Sequence, residues 1–167
     1  MSKETNFETV PLAELSAKGI TPDDGQPKSI VLVVDDEVVI ADTLSTILNR
    51  SGITAMTAYD GKTALDIARM IPPDLLLTDV VMPDMSGIDL AVSILDIAPN
   101  CRVLLFSGQA ATKDLLATAR DAGRDFAIIA KPIHPRQLLA HVSESLESPM
   151  PIVLDNRRDA DLPMCAS

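Results

Sequence analysis

Five short apolar runs punctuate the chain at intervals that leave room for one helix each: IVLVVD (30–35), TAMTAY (54–59), DLLLTDV (74–80), RVLLFSG (102–108) and FAIIAK (126–131). Unbroken stretches such as LLL lack the alternation of a half-exposed strand, so they predict strands covered on both faces. The intervening segments carry helical spacing. Ile40, Leu44, Ile47 and Leu48 share one face, as do Ala64, Leu65, Ala68 and Ile71, and Ile88, Ala91, Val92 and Leu95 repeat the pattern. Leu115, Leu116 and Ala119 predict a shorter fourth helix; Leu138, Leu139, Val142 and Leu146 predict a fifth that opens with Pro135 in its first turn. Strands alternating with helices in this way predict an α/β fold built on a parallel sheet. Aromatic residues make up only 2% of the chain against 47% hydrophobic residues, so the core must be aliphatic.

At 167 residues, one domain with a full core is expected. Its bounds are placed at 28–147. Residues 1–27 mix charge, Pro and Gly and predict a flexible extension. Residues 148–167 form a Pro-studded tail in which no output domain is expected. The formal charge of −10 and the lack of a basic stripe lead to an expectation of no nucleic-acid partner, because such affinity rests on Lys and Arg neutralising phosphates. Cys101 and Cys165 match neither a metal spacing nor a disulfide framework. With no run of membrane-span length and no basic-then-apolar amino terminus, the expected setting is cytoplasmic, without membrane insertion.

In an open parallel sheet, functional groups gather beyond the carboxyl ends of the strands. Asp35, Asp36 and Glu37 follow the first run, Asp79 ends the third, Ser107 the fourth and Lys131 the fifth. Carboxylates crowded at one edge repel each other and call for a positive partner. Mg²⁺ suits the position, since it takes oxygen ligands and is held by one or two carboxylates plus phosphate oxygens. Lys131 offers a compact cation for a phosphoryl oxygen and Ser107 a hydroxyl donor. Asp79 stands alone at its strand end and is assigned as the nucleophile toward a phosphoryl group; Asp35 and Asp36 come as a pair suited to share a metal. His134 and His141 lack partners at metal-ligand spacing and are assigned to structure, as is Gly87 in the turn before the third helix.

Together VLVVDDE (31–37), TDVVMPDMSG (78–87), LLFSG (104–108) and KP (131–132), in this order at strand ends, resemble the receiver domain of bacterial two-component response regulators. The resemblance spans about Ser29 to Glu147 and implies a flavodoxin-like, doubly wound five-stranded parallel sheet in the order 2-1-3-4-5 with five helices. It implies that Asp79 is phosphorylated by a partner phosphohistidine, on a histidine kinase or a histidine phosphotransfer protein. Asp36 would bind Mg²⁺ directly, Asp35 through a water, and the Val81 backbone carbonyl would complete the protein ligands. Ser107 and Lys131 would hold the phosphoryl oxygens, and the Lys131–Pro132 bond would be cis. The aromatic residue that such domains carry three before the lysine is replaced here by Ile128; the nearest aromatic is Phe126.

The expected function is that of a stand-alone phospho-accepting receiver, not a turnover enzyme, which catalyses its own aspartyl phosphorylation and dephosphorylation. Phosphate on Asp79 would switch a surface read by a downstream protein. The alternative is a docking module with the same fold that needs no phosphate. A phosphohydrolase would need a second carboxylate two residues after the nucleophile, where Val81 stands.

Overall fold

The structure is a computed structural model that describes residues 28–108 and 126–147, with Ala117 and Arg120 between them. The elements follow in the order β1 (Ile30–Val34), α1 (Val38–Arg50), β2 (Thr54–Ala58), α2 (Gly61–Met70), β3 (Leu75–Asp79), α3 (Gly87–Ile97), β4 (Arg102–Ser107), β5 (Ala127–Ala130) and α4 (Pro135–Glu147). All strand pairs are parallel, in the order β2-β1-β3-β4-β5. This is the doubly wound, flavodoxin-like order, and it places every strand's carboxyl end along one edge.

Alternation along the strands divides the core into two layers. Leu32, Val34 and Leu76 pack with Ala64, Ala68, Leu90, Ala91 and Ile94 from α2 and α3. Val31, Val33, Leu75, Leu77, Leu104 and Ile129 face the opposite way, onto Leu44 and Leu48 of α1 and Leu138 and Val142 of α4. Each such fully buried aliphatic contributes roughly 1.5–3 kcal/mol relative to exposure. No helix among the described residues is long and apolar enough to cross a membrane.

Short polar residues set the helix ends. Asp60 caps α2, accepting hydrogen bonds from the Thr63 amide at 2.7 Å and the Thr63 hydroxyl at 2.8 Å, and the amide bond is the main reason its carboxyl lies below the ordinary range. Ser86 caps α3 by accepting from the Asp89 amide at 3.1 Å and donating its hydroxyl to the Asp89 carboxylate at 2.7 Å. After α1 the chain reverses through Gly52 at φ 85°, a left-handed conformation that costs glycine nothing. From the last turn of α1, Asn49 accepts from the Ala55 amide at 3.0 Å and donates to the Ala55 carbonyl at 3.3 Å, on strand β2. Pro135 opens α4, where the His134 carbonyl accepts from Gln137 and Leu138.

The strands are shorter than the apolar runs. Asp35, Tyr59, Val80, Gly108 and Lys131 lie just past the strand ends, where the loops of the carboxyl edge begin. At the opposite edge, Asp74 lies just outside β3 and accepts from the Ile30 amide at 2.7 Å through its side chain. Ile71 is not on the buried face of α2: it follows the helix as its C-cap and is 45% exposed. Leu90 and Ile94, absent from the predicted α3 face, are fully buried: the polar residues Asp89, Ser93 and Asp96 form one stripe at i, i+4 and i+7, and the broad apolar remainder opposite it packs inward. The helix predicted over Leu115, Leu116 and Ala119 and the extensions 1–27 and 148–167 lie outside the described residues; Ala117 and Arg120 are helical.

Gly87 holds the carboxyl edge together. Its amide donates to the Val80 carbonyl at 2.9 Å, folding the 80–86 loop back onto the end of β3. A Cβ at this position would lie 1.9 Å from the Asp79 carbonyl oxygen. The close approach is between backbones, so no side-chain rotation relieves it. Gly87→Ala is therefore expected to lower stability by at least about 1–3 kcal/mol, the usual cost of forced overpacking, read as a fall in the urea midpoint at unchanged slope.

Candidate functional site

The carboxyl edge collects Asp35, Asp36 and Asp79, with one carboxylate oxygen from each lying within 4.8 Å of the others. Sheet register explains the convergence. β1 and β3 are adjacent, Val34 pairs with Thr78, and the next residue on each chain is an aspartate. Asp35 is 1% exposed, Asp79 is half-buried and Asp36 is exposed, so the three form a graded wall from core to solvent.

Lys131 enters from the end of β5. Its amide donates to the Ser107 carbonyl at 2.8 Å, which extends the β4–β5 pairing by one residue, and the Lys131–Pro132 bond that follows is cis. The Nζ atom lies 2.9 Å from Oδ2 of Asp35 and 3.3 Å from Oδ2 of Asp79. The remaining Asp35 oxygen accepts from the Glu37 amide at 2.9 Å, so Asp35 braces the turn into α1 as well as the lysine. Glu37 occupies the N-cap position of α1 without making a side-chain cap bond.

Burial pushes the Asp79 carboxyl above the ordinary carboxylate range, and the negative charge of Asp35 adds to that push; Lys131 and a backbone hydrogen bond from Val81 pull against it without cancelling it. Burial also works to discharge Lys131, but its hydrogen bond to Asp35 and the charges of Asp35 and Asp79 outweigh it and hold its pKa above the usual lysine value. Asp79 thus gives up its proton less readily than a free carboxyl would, beside a lysine that stays charged. The arrangement suits an oxygen-seeking cation or an anion brought in with one.

The other expected site residues are placed as follows. Ser107 ends β4 at 2% exposure, with its hydroxyl donating to the Gly108 carbonyl at 3.0 Å. Val81 follows Asp79 by two residues and is 55% exposed, at the rim of the acidic cluster. Met82 is buried beneath the same loop. Ile128 is half-buried among Val80, Ile88 and Leu105, and Phe126 packs against that cluster too. His134 accepts from the Arg136 amide at 3.2 Å and serves the start of α4, while His141 is exposed and lines a cavity beside β5 with Ile128 and Ile129. One neighbour was not anticipated from the sequence: the Phe106 ring, whose centroid lies 4.8 Å from Lys131 Nζ. Its position just before Ser107, in a chain with three phenylalanines, was the available signal.

The raised Asp79 pKa has a defined sign for stability. The folded state binds the proton more tightly than the unfolded chain, so stability falls as pH rises from the ordinary carboxylate value to the folded one, and the whole cost is present above that window. In buffer free of divalent cations, Asp79→Asn is expected to be more stable than wild type at neutral pH. The difference should shrink to nothing as the pH drops below the ordinary carboxylate range, measured by thermal unfolding across a pH series.

Residues 31–143 match the family described as response regulator receiver domain. Among curated proteins, the chain is 40% identical over 109 residues to the probable transcriptional regulatory protein TcrX of Mycobacterium tuberculosis, covering 65% of this chain and 45% of that protein. It is 32% identical over 132 residues to the transcriptional regulatory protein CreB of Escherichia coli, covering 75% and 57%. The chain thus spans about half the length of the curated relatives it matches. Among solved structures, a two-component transcriptional regulator AraC from Clostridium phytofermentans aligns at a TM-score of 0.64 and 34% identity, over 71% of this chain and 93% of that one. A CheY-like receiver domain protein from Methanospirillum hungatei aligns at 0.65 and 29%, over 72% and 94%. The expectation of no nucleic-acid partner is overturned by these relatives, which are transcriptional regulatory proteins and, in the case of MtrA of Mycobacterium tuberculosis, a DNA-binding response regulator. The charge argument weighed only this chain's own surface against phosphates, and it has no force for longer proteins that share this segment. On sequence match, strand order and structural likeness together, the chain belongs to the response regulator receiver domain family.

Proposed function

We propose that this chain is a phospho-accepting receiver in a two-component phosphorelay, with Asp79 as the phosphoryl acceptor. The observation that carries this reading is the meeting of three carboxylates within 4.8 Å at one sheet edge, with Lys131 bridging Asp35 and Asp79. An all-oxygen donor set of this kind fits Mg²⁺. Asp35, Asp36, Asp79 and the Val81 carbonyl would hold it, and when bound it neutralises charge on an incoming phosphoryl group. The donor is a phosphohistidine on a histidine kinase or histidine phosphotransfer protein. A carboxylate oxygen of Asp79 attacks phosphorus, the phosphorus–nitrogen bond breaks and imidazole leaves, while Lys131 and Ser107 hold the equatorial oxygens. A separate step, attack by water on the acyl phosphate, breaks the bond between Asp79 and phosphorus, releases inorganic phosphate and restores the carboxylate, which resets the domain.

The charge that arrives on Asp79 draws Lys131 and Ser107 toward it and biases the surface beyond β4 and β5, which a downstream protein reads. In this reading Ile128 stands where receivers carry the aromatic switch residue, so the readout runs through aliphatic packing with Val80, Ile88 and Leu105.

Incubating the full chain with Mg²⁺ and phosphoramidate should add the mass of one phosphoryl group. The gain should vanish in Asp79→Ala and on chelation of the metal, and should slow by roughly 10²-fold in Lys131→Ala, the usual cost of removing one charge-stabilising donor. No gain in the wild type would leave a docking module that works without phosphate; a gain that survives in Asp79→Ala would move the acceptor elsewhere.

A further inference from the structure

Among the described residues, three groups surround the Lys131 ammonium. Asp35 and Asp79 meet it as hydrogen-bonding carboxylates, and the face of Phe106 lies 4.8 Å away. Phe106 is 5% exposed and belongs to the apolar layer under α1 and α4, with Leu77, Leu104, Ile129 and Leu138. Its ring also lines a cavity of about 340 Å³ with Ile40, Leu44, Pro132 and Ile133. The residue therefore stands between the hydrophobic core and the polar edge.

We propose that Phe106 is a positioning residue for phosphoryl transfer, its ring face fixing the Lys131 ammonium over the acidic cluster so that the lysine can reach an oxygen of the incoming phosphoryl group. The inference rests on the reading of Lys131 as a phosphoryl partner. An ammonium has three N–H donors and no acceptor. Two carboxylates meet this one, and a phosphoryl group arriving at Asp79 must take over some of that bonding. A carboxylate holds the ammonium by directional bonds that compete with the newcomer. The ring's negative face attracts the same charge without occupying a particular N–H, and in a desolvated setting that attraction is at its strongest. Phe106 thus constrains where the charge sits while leaving its donors available. An aliphatic residue would fill the same core volume without exerting this pull.

A series of phenylalanines at position 106 carrying one, two and three ring fluorines separates the two roles, because fluorine drains the ring face of negative charge with little change of shape. The readouts are the phosphorylation rate with phosphoramidate and Mg²⁺, the affinity for beryllofluoride, and the affinity for Mg²⁺ alone. The rate and the beryllofluoride affinity should fall stepwise with each fluorine, by roughly three- to tenfold at the trifluoro variant given the usual strength of such contacts, while Mg²⁺ affinity and melting temperature hold. Phe106→Leu should match the trifluoro variant, and Phe106→Tyr should retain the wild-type rate. A rate and beryllofluoride affinity independent of fluorination would overturn the proposal, whether or not Phe106→Leu folds. If the wild type takes up no phosphoryl group at all, the underlying reading of Asp79 fails first, so the two failures are distinguishable.

Discussion

A lysine pinned between two partly or wholly buried carboxylates organises this molecule's functional edge. Such a pair is a poor way to stabilise a protein: taking the charges out of water costs several kcal/mol per ion, and apolar residues of similar volume would often serve the fold as well. Asp35, at 1% exposure, has both oxygens engaged, one by the lysine and one by the Glu37 amide. Asp79 is the less settled partner, pushed toward its neutral form by burial and by Asp35. The edge is thus assembled with a surplus of negative charge over what one lysine satisfies, a local electrostatic demand that the rest of the fold is arranged to sustain.

That demand can be sustained because the sheet is parallel and every strand delivers its last residue to the same side. β1 and β3 pair directly, which sets Asp35 beside Asp79; β4 separates β3 from β5, and the lysine arm spans that gap. Gly87 closes the loop that follows Asp79 by allowing the start of α3 to press against the strand's own backbone. Below this edge lie two aliphatic layers with almost no polar interruption, and above it the chain is rich in oxygen ligands. At the end of β1 the change from one to the other takes a single step, from Val34 to Asp35.

Much of this was legible in the sequence. The strands announced themselves through continuous apolar runs, and the parallel arrangement followed from the helices between them. Once the strand ends were aligned, Asp35, Asp36, Asp79, Ser107 and Lys131 had to share an edge. Contacts that depend on side-chain direction were not legible. Phe106 reads as one more core residue, and only the three-dimensional course of the lysine arm brings an ammonium over its ring. The buried face of α3 is wider than the apolar positions taken for it, and the signal that marks it is the polar stripe of Asp89, Ser93 and Asp96 on the opposite side. Ile71 has the spacing of a core residue, yet the helix stops before it, ahead of the two prolines Pro72 and Pro73. The expectation about nucleic acid erred for a different reason: net charge describes a surface, and it does not carry over to longer proteins that contain the same domain.

The side-chain amide of Asn49 has a consequence for assembly. β2 is an outer strand of the sheet, and the amide and carbonyl of Ala55 are the kind of outward-facing groups that could recruit a strand from another molecule. Asn49 occupies both from within its own chain, acting as a one-residue surrogate for a sixth strand. Lateral growth of the sheet past β2 must first evict that surrogate, so the fold carries its own stopper against ribbon-like polymerisation on this flank.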